Sequence, residues 1–309
     1  MAFSETSIGI VGTGSVGASV AISLLTSGVT RKLLLHDKNT SRALGEAMDL
    51  AHGSSFYPTA TVQQVETLSE LQKTDAVIIT AGRNGSPTES RLDLLRDNAA
   101  IMRAIASEFV DYKGIIIIVS NPVDVLTYVF QQASGLPITR VLGTGTMLDT
   151  ARLRNILGRE LNIEPRSIHA QVAGEHGDSE VVLWSSATLG GTDLRSWPDW
   201  TTEKEEHVAT EVRTAAYEII QRKGVTNHAI GLVTATLVKW ILRGDRRILT
   251  VSRVQNGMFG YRDLAISLPT IVSINGAETV LEPAVDPTEK AALDHSADVI
   301  KQAIASLTP

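Results

Sequence analysis

The segment Gly12-Thr13-Gly14-Ser15-Val16-Gly17 constrains the fold more than any other stretch of this chain. Before it, Ser7 to Val11 is a short apolar run that fits a buried strand. Behind it, Val16, Val20 and Leu24 recur at the four-residue spacing of a helix face, and Gly28 ends the pattern. A G-x-G-x-x-G pattern alone is common by chance; between a strand and a helix it gains meaning. The first glycine permits a tight turn, the second lets backbone approach a pyrophosphate, and the third allows close helix–strand packing. The helix start then offers unpaired N–H groups and a positive dipole end to phosphate. Asp37 follows Gly17 by 20 residues, at the end of a second apolar run, Lys32 to His36. A carboxylate there accepts hydrogen bonds from a ribose diol and repels the 2′-phosphate of NADP, so NAD is the expected cofactor. The adjacent Lys38 softens that repulsion. The competing reading is a turn that merely packs, with Asp37 a solvated charge.

The rest of the first half continues the alternation. Ser41 to His52 has helical character, Asp75 to Thr80 and Gly114 to Ser120 are apolar runs, and helical patterns follow at Arg91 to Val110 and Pro122 to Ser134. Repeated strand–helix units imply an α/β fold with a doubly wound parallel sheet of the Rossmann type over residues 1–145. The second half, 146–309, reads as a second, α+β domain. It has a helix from Met147 to Glu160, short strands around Ser167 to Ala173 and Glu180 to Ser185, and helices over Glu203 to Arg222 and Thr226 to Leu242. Strand-like stretches Arg247 to Ser252 and Asp263 to Ile274 meet a turn at Asn275-Gly276, and Pro287 opens a last helix.

Composition narrows the function. The chain has no cysteine, which removes disulfides, thiolate metal ligands and a cysteine nucleophile; no metal site is expected. A net charge of −6 argues against a nucleic-acid partner. Ile115 to Val119, the longest aliphatic run, is far short of the ~20 residues that span a bilayer, and the N-terminus lacks an export signal. A cytoplasmic protein is expected. Small anions remain possible ligands, because a local arginine pocket overrules global charge.

Two further motifs carry chemistry. Gly174-Glu175-His176-Gly177-Asp178-Ser179 places a histidine between glycines after an apolar strand, and histidine suits proton exchange near neutral pH. In Gly143 to Arg154, Asp149 and Arg152 are three apart and share a helix face. Such a pair is commonly a surface ion pair. The functional reading makes Asp149 the orienter of His176 and Arg152 the planar fork that grips a substrate carboxylate.

The glycine fingerprint, Ser120-Asn121-Pro122-Val123-Asp124, the Gly143–Arg154 segment and Gly174–Ser179 together resemble the successive signatures of the L-lactate/malate dehydrogenase family, in the family's order and over most of the chain. The resemblance implies hydride transfer between nicotinamide and a small 2-oxo or 2-hydroxy acid. It makes His176 the acid/base, Asp149 its partner, Arg152 the carboxylate anchor and Asn121 a donor beside both the carbonyl and the cofactor. It also equates Ala81 to Arg91, with glycines at 82 and 85 and Pro87, with the family's closing loop, and Arg91 with the arginine that polarises the carbonyl. Read from the residues alone, Arg91 is equally a surface residue at a helix start.

The position six residues before Arg91 usually carries glutamine in lactate enzymes and arginine in malate enzymes; here it is Gly85. Without a cation there, the second carboxylate of oxaloacetate enters the site unpaired, at a cost of at least several kcal/mol. Arg83 lies nearby in sequence. Thr226 and Ile230 fit the lactate pattern, so L-lactate is the first choice, with a Gly85-widened range of L-2-hydroxy acids close behind. Arg154 and His169 match positions that bind fructose 1,6-bisphosphate at a subunit interface in some bacterial relatives; an exposed arginine and an unrelated histidine is the competing reading. The family further implies a homo-oligomer, tetramer or dimer, working in glycolysis. The rival readings are malate dehydrogenase, an NAD-dependent glycosidase with a bound metal (disfavoured by the missing cysteine) and a non-catalytic NAD-binding redox sensor.

Overall fold

The computed structural model describes residues 6–83, 85 and 90–307; Pro87 lies outside them. The first half runs β1 (Ser7–Val11), α1 (Ser15–Thr26), β2 (Lys32–His36), α2 (Thr40–His52), β3 (Thr61–Gln64), β4 (Ala76–Ile79), α3 (Arg91–Ser107), β5 (Ile115–Ile118), α4 (Val123–Ser134) and β6 (Val141–Gly143). The second half begins with α5 (Met147–Leu161) and passes through the short strands β7 (Ile168–His169), β8 (Val172–Ala173), β9 (Val181–Val182), β10 (Thr188–Leu189) and β11 (Thr192–Asp193). It continues with α6 (Thr202–Lys223), α7 (His228–Arg243), β12 (Arg247–Asn256), β13 (Arg262–Ser273), β14 (Gly276–Val280) and α8 (Pro287–Ala305).

The six strands of the first half pair in parallel in the order β3-β2-β1-β4-β5-β6, the doubly wound arrangement. The sheet does not stop there. Ser252 of β12 pairs antiparallel with Gly143 of β6, and β12, β13 and β14 extend the sheet to nine strands. Helices from both halves then cover it. Alternate β5 residues point to opposite faces: Ile116 and Ile118 pack with Met102 of α3, Phe130 of α4 and Ile300 of α8, whereas Ile115 and Ile117 share a core with Leu24 of α1 and Leu237 and Ile241 of α7. All four isoleucines are buried, which explains why β5 reads as one continuous apolar run rather than an alternating one. Each such side chain contributes ~1.5–3 kcal/mol on transfer from water. A separate core joins Leu153, Ile156 and Leu157 of α5 to Trp184 and to Val208 and Val212 of α6.

Two expectations shift, and one strand lies outside all of them. The stretch Ser167 to Ala173 is not one strand: β7 pairs with β10 and β8 with β9, so the chain changes sheets at Ala170 and Gln171. The helix expected from Thr226 starts at His228, because Asn227 turns its side chain to Ser19 of α1, 2.8 Å away. The edge strand β3 gave no sequence signal, since Thr-Val-Gln-Gln at a sheet margin buries little. Among the described residues no helix is long and apolar enough to cross a membrane.

Candidate active site

The nucleotide turn lies where the strand order reverses, between the ends of β1 and β4. Its three glycines differ in what surrounds them. Gly12 has φ +99°, and a Cβ there would stand 2.7 Å from the Ala81 backbone nitrogen. A Cβ on Gly17 would overlap the Gly12 carbonyl oxygen and come within 2.9 Å of Thr80 Oγ1. Gly14 is the opposite case, with no heavy atom within 4 Å of its Cβ position. Two glycines therefore exist for packing and one faces open space. Gly14 is also the N-cap of α1 and supplies no side-chain cap, which leaves the first N–H groups of the helix for an anion. This cradle fits a dinucleotide pyrophosphate.

Asp37 is half-buried at the end of β2 and ties that strand to the turn. Its Oδ2 accepts from the Thr13 backbone N–H at 2.7 Å, and its Oδ1 accepts from the Asn39 N–H at 2.9 Å. Burial disfavours its charge, but these N–H donors, the Thr13 hydroxyl and Arg42 outweigh it and hold the carboxyl below its usual range. The anion expected at this position is thus present and fixed.

The second cluster gathers residues far apart in sequence. Asp149 and Arg152 sit one turn apart on α5, and Arg152 Nη1 donates to Asp149 Oδ1 at 2.8 Å. The other carboxylate oxygen, Oδ2, lies 2.6 Å from His176 Nδ1. The Asp149 side chain is only 2% exposed, so this is no surface pair. His176 keeps 24% of its side chain open, which leaves a ring edge for a reactant. Burial disfavours its charge, but Asp149, with Asp124 and Glu180 behind it, overrides that and raises His176 to about 9. Burial likewise opposes the Asp149 charge, yet His176 and Arg152 hold it below the usual carboxylate range.

The loop that presents His176 is anchored where it leaves β8. Gly174, at φ +92°, exchanges backbone hydrogen bonds with Ser267 of β13, and the Glu175 N–H donates to Ser296 Oγ of α8 at 2.6 Å. Asp124, in the first turn of α4, accepts from the His176 backbone N–H at 2.7 Å. Burial pushes the Asp124 carboxyl up to about 6, against the pull of the His176 N–H. Asn98 of α3 joins the neighbouring strand ends: it accepts from the Arg83 N–H at 2.9 Å and donates to the Asn121 carbonyl at 3.4 Å. In sequence, the Ser120–Asp124 motif points to Asn121 and not to Asp124. A role for Asn98 shows only as one polar residue on the apolar face that Leu95, Ala99 and Met102 otherwise form.

The remaining sequence-derived residues are placed as follows. Asn121 is exposed at the end of β5, three residues ahead of the Asp124 that holds His176. Arg91 is the exposed first residue of α3, close enough for its charge to oppose the upward shift that Asp178 imposes on the Tyr217 hydroxyl. Gly85 is exposed. Arg83, the cation nearest it in sequence, is bound to Asp97, with Nη2 2.7 Å from Oδ2. Thr226 is half-buried before α7, and Ile230 packs on the core beneath α1. Arg154 donates to the Ala170 carbonyl at 3.0 Å and lines a cavity of about 350 Å³ with Arg166, Gln171 and Trp240. His169, exposed on β7, is not part of that lining among the described residues.

Comparison with known proteins agrees with this architecture. Residues 6–143 match the NAD binding domain of lactate/malate dehydrogenase, and residues 146–308 match the alpha/beta C-terminal domain of the same family. The L-lactate dehydrogenases of Salinibacter ruber and Moorella thermoacetica are each 42% identical, with 97% of both chains covered. Among solved structures, the minor L-lactate dehydrogenase of Enterococcus mundtii in its ligands-bound form superposes with a TM-score of 0.95 at 40% identity, covering 98% of each chain. MGS-M5, a lactate dehydrogenase from a Medee basin deep-sea metagenome library, gives 0.94 at 35% identity over 99% of each chain.

Proposed function

The chain belongs to the lactate/malate dehydrogenase family, and from that premise we propose that it is an NAD-dependent L-lactate dehydrogenase whose chemistry is carried by His176, Asp149 and Arg152. One observation carries the assignment of roles: a single buried carboxylate, Asp149, binds the histidine through one oxygen and the arginine through the other. When bound, NADH supplies the hydride and NAD⁺ accepts it. His176 gives a proton to the carbonyl oxygen as pyruvate is reduced, and takes it back from the hydroxyl of L-lactate in the reverse direction. Because Nδ1 is held by Asp149, Nε2 is the nitrogen that meets substrate. A histidine raised to about 9 is protonated at neutral pH, which readies the site for pyruvate. Among the described residues only Nη1 of Arg152 is engaged, so Nε and Nη2 remain to grip the substrate carboxylate. Asn121 and Arg91 act as donors to the carbonyl, where negative charge develops. Gly12, Gly14 and Gly17 cradle the pyrophosphate, and Asp37 takes the ribose diol.

Substrate choice follows from charge. Gly85 brings no cation and Arg83 is committed to Asp97, which supports pyruvate over oxaloacetate. A glycine at this position also supports longer or branched 2-oxo acids. The same reading carries a cytoplasmic homo-oligomer, tetramer or dimer. Leu44 and Met48, four apart on α2 and about half exposed, support a covered surface there. Regulation by fructose 1,6-bisphosphate is part of the proposal; the paired cations Arg154 and Arg166 in one cavity support it, and the position of His169 outside that lining does not.

The test is NADH oxidation with pyruvate, oxaloacetate and 2-oxoisocaproate, compared by kcat/KM. Pyruvate is expected ahead of oxaloacetate by at least roughly tenfold, about 1.4 kcal/mol. A strong 2-oxoisocaproate rate would mark the pocket as widened. Oxaloacetate in the lead would mean that Arg83 leaves Asp97 for the substrate.

A further inference from the structure

Glu180 follows the His176 loop directly and precedes β9, and the proposed mechanism gives it no task. It is 7% exposed. Its Oε1 is buried with no hydrogen-bond partner among the described residues, which is unusual for a carboxyl group. The other buried acids here each hold at least one hydrogen bond: Glu205 is held by Arg195, Glu289 caps α8, Asp149 has two charged partners, and Asp124, whose Oδ1 is likewise unpartnered, accepts the His176 N–H through Oδ2. Glu180 instead stands where one of its oxygens, one oxygen of Asp149 and a ring nitrogen of His176 all lie within 4.8 Å of one another. The charged groups facing it are Asp149 and Arg152 on α5, His176 on its own loop and Arg213 on α6. The Nε of Arg213 is itself buried without a partner, so the two side chains face each other without a hydrogen bond.

We propose that Glu180 is a positioning residue that acts through His176 and Asp149: as a neutral acid it leaves their pocket the positive charge that a substrate carboxylate needs, and as an anion it cancels that charge. The argument is one of balance, and it rests on the lactate dehydrogenase reading of the site. The cations here, protonated His176, Arg152 and Arg213, outnumber the ionised acids Asp149 and Asp124 by one, and that one charge remains for the incoming carboxylate only if Glu180 stays uncharged. Burial, and then the like charge of Asp149, favour the neutral form and push Glu180 up to about 8, against His176, Arg213 and Arg152. An arriving substrate anion pushes in the same direction. Binding of a 2-oxo acid above neutral pH therefore draws a proton to Glu180 as well as to His176.

That double uptake is measurable. Oxamate, an uncharged-amide isostere of pyruvate, is titrated into the NADH complex in buffers of different ionisation enthalpy, and the dependence of the heat on buffer gives the protons taken up. One titrating group supplies at most one proton. At pH 9 the native protein is expected to take up more than one per site, and Glu180→Gln no more than one. Uptake that never exceeds one in the native protein overturns the proposal whether or not the variant folds. Equal uptake above one in E180Q overturns it too, by assigning the second proton elsewhere. Failure of oxamate to bind the NADH complex removes the reading of the site, and the role of Glu180 with it. A residue needed only for packing would change affinity at every pH and leave the proton count alone.

Discussion

The turn from Gly12 to Gly17 and the cluster around His176, the two parts of the proposed site, are built on opposite plans. The turn occupies six consecutive residues and is made of backbone; what matters there is the absence of Cβ atoms at Gly12 and Gly17 and the empty space beside Gly14. The cluster draws Asp124 from α4, Asp149 and Arg152 from α5, and His176 and Glu180 from a loop, and it works through side-chain charge removed from water. A steric device fails locally when an atom is added. An electrostatic device fails collectively, because each ionisation sets the next. The two plans make different demands on the scaffold. The turn needs β1, β4 and α1 close together, whereas the cluster needs strands and helices of both halves in one rigid frame, which the nine-stranded sheet provides.

The largest effect should come from the centre of the electrostatic half. Asp149→Asn keeps the size of the side chain but takes away the charge that sustains His176 and anchors Arg152. Without it, burial acts on His176 unopposed by its main partner, and the imidazole pKa drops from about 9. Pyruvate reduction needs the protonated ring, so the alkaline limb of kcat/KM should move to lower pH. At neutral pH the loss should be on the order of 10²–10⁴-fold, the range for a histidine deprived of its carboxylate. The measurement is the pH profile of pyruvate reduction in the two proteins. An alkaline limb left where it was would separate Asp149 from the ionisation of His176.

The same contrast explains what could be read in advance. A backbone device leaves its mark in consecutive letters, so the strand, glycines, helix and Asp37 were all legible, and β2 ends at His36 as the apolar run indicates. The central strands were equally plain, because a strand buried on both faces must be apolar throughout, as Ile115–Ile118 is. Asp149, Arg152 and His176 were legible as motifs, and the structure brings them together. Their silent neighbours were not. Asp124, Glu180 and Asn98 are ordinary polar letters whose roles depend on which segment the fold lays against them, and no periodicity records that. The continuation of the sheet through β12 was hidden for a related reason: it rests on a single paired position, Ser252 with Gly143.

In the steric half, two glycines that look alike in the motif should behave differently. Gly17→Ala places a methyl group against the Gly12 carbonyl and Thr80, so the turn must shift. Overpacking of this kind costs about 1–3 kcal/mol, and NADH affinity should fall as well. Gly14→Ala meets no protein atom within 4 Å, so its thermal midpoint should stay close to that of the native protein. Its NADH affinity should still drop, by roughly tenfold or about 1.4 kcal/mol, because the new methyl group occupies the approach to the phosphates. Thermal unfolding beside NADH titration separates the two. Equal loss of stability in both variants would mean that Gly14 serves packing and that the cofactor approaches elsewhere.

The smallest effect concerns the one charge that belongs to the steric half. Asp37 has two tasks that a single measurement confuses: it straps the turn through the Thr13 and Asn39 N–H groups, and it presents an anion to the ribose in the proposed site. Asp37→Asn keeps the shape and removes the charge, but its amide can no longer accept at both positions, so one N–H loses its partner at about 1 kcal/mol. That cost weakens NADH and NADPH alike. The ratio of their kcat/KM values cancels it and isolates the charge, whose repulsion of a 2′-phosphate across a solvated gap is about 1–2 kcal/mol, or roughly tenfold. The preference for NADH over NADPH should therefore fall by about that factor, with more of the fall at low salt, where exposed charges are less screened. A ratio unchanged while both affinities drop would make Asp37 a strap for the turn alone, and cofactor choice would then rest on the space beside it.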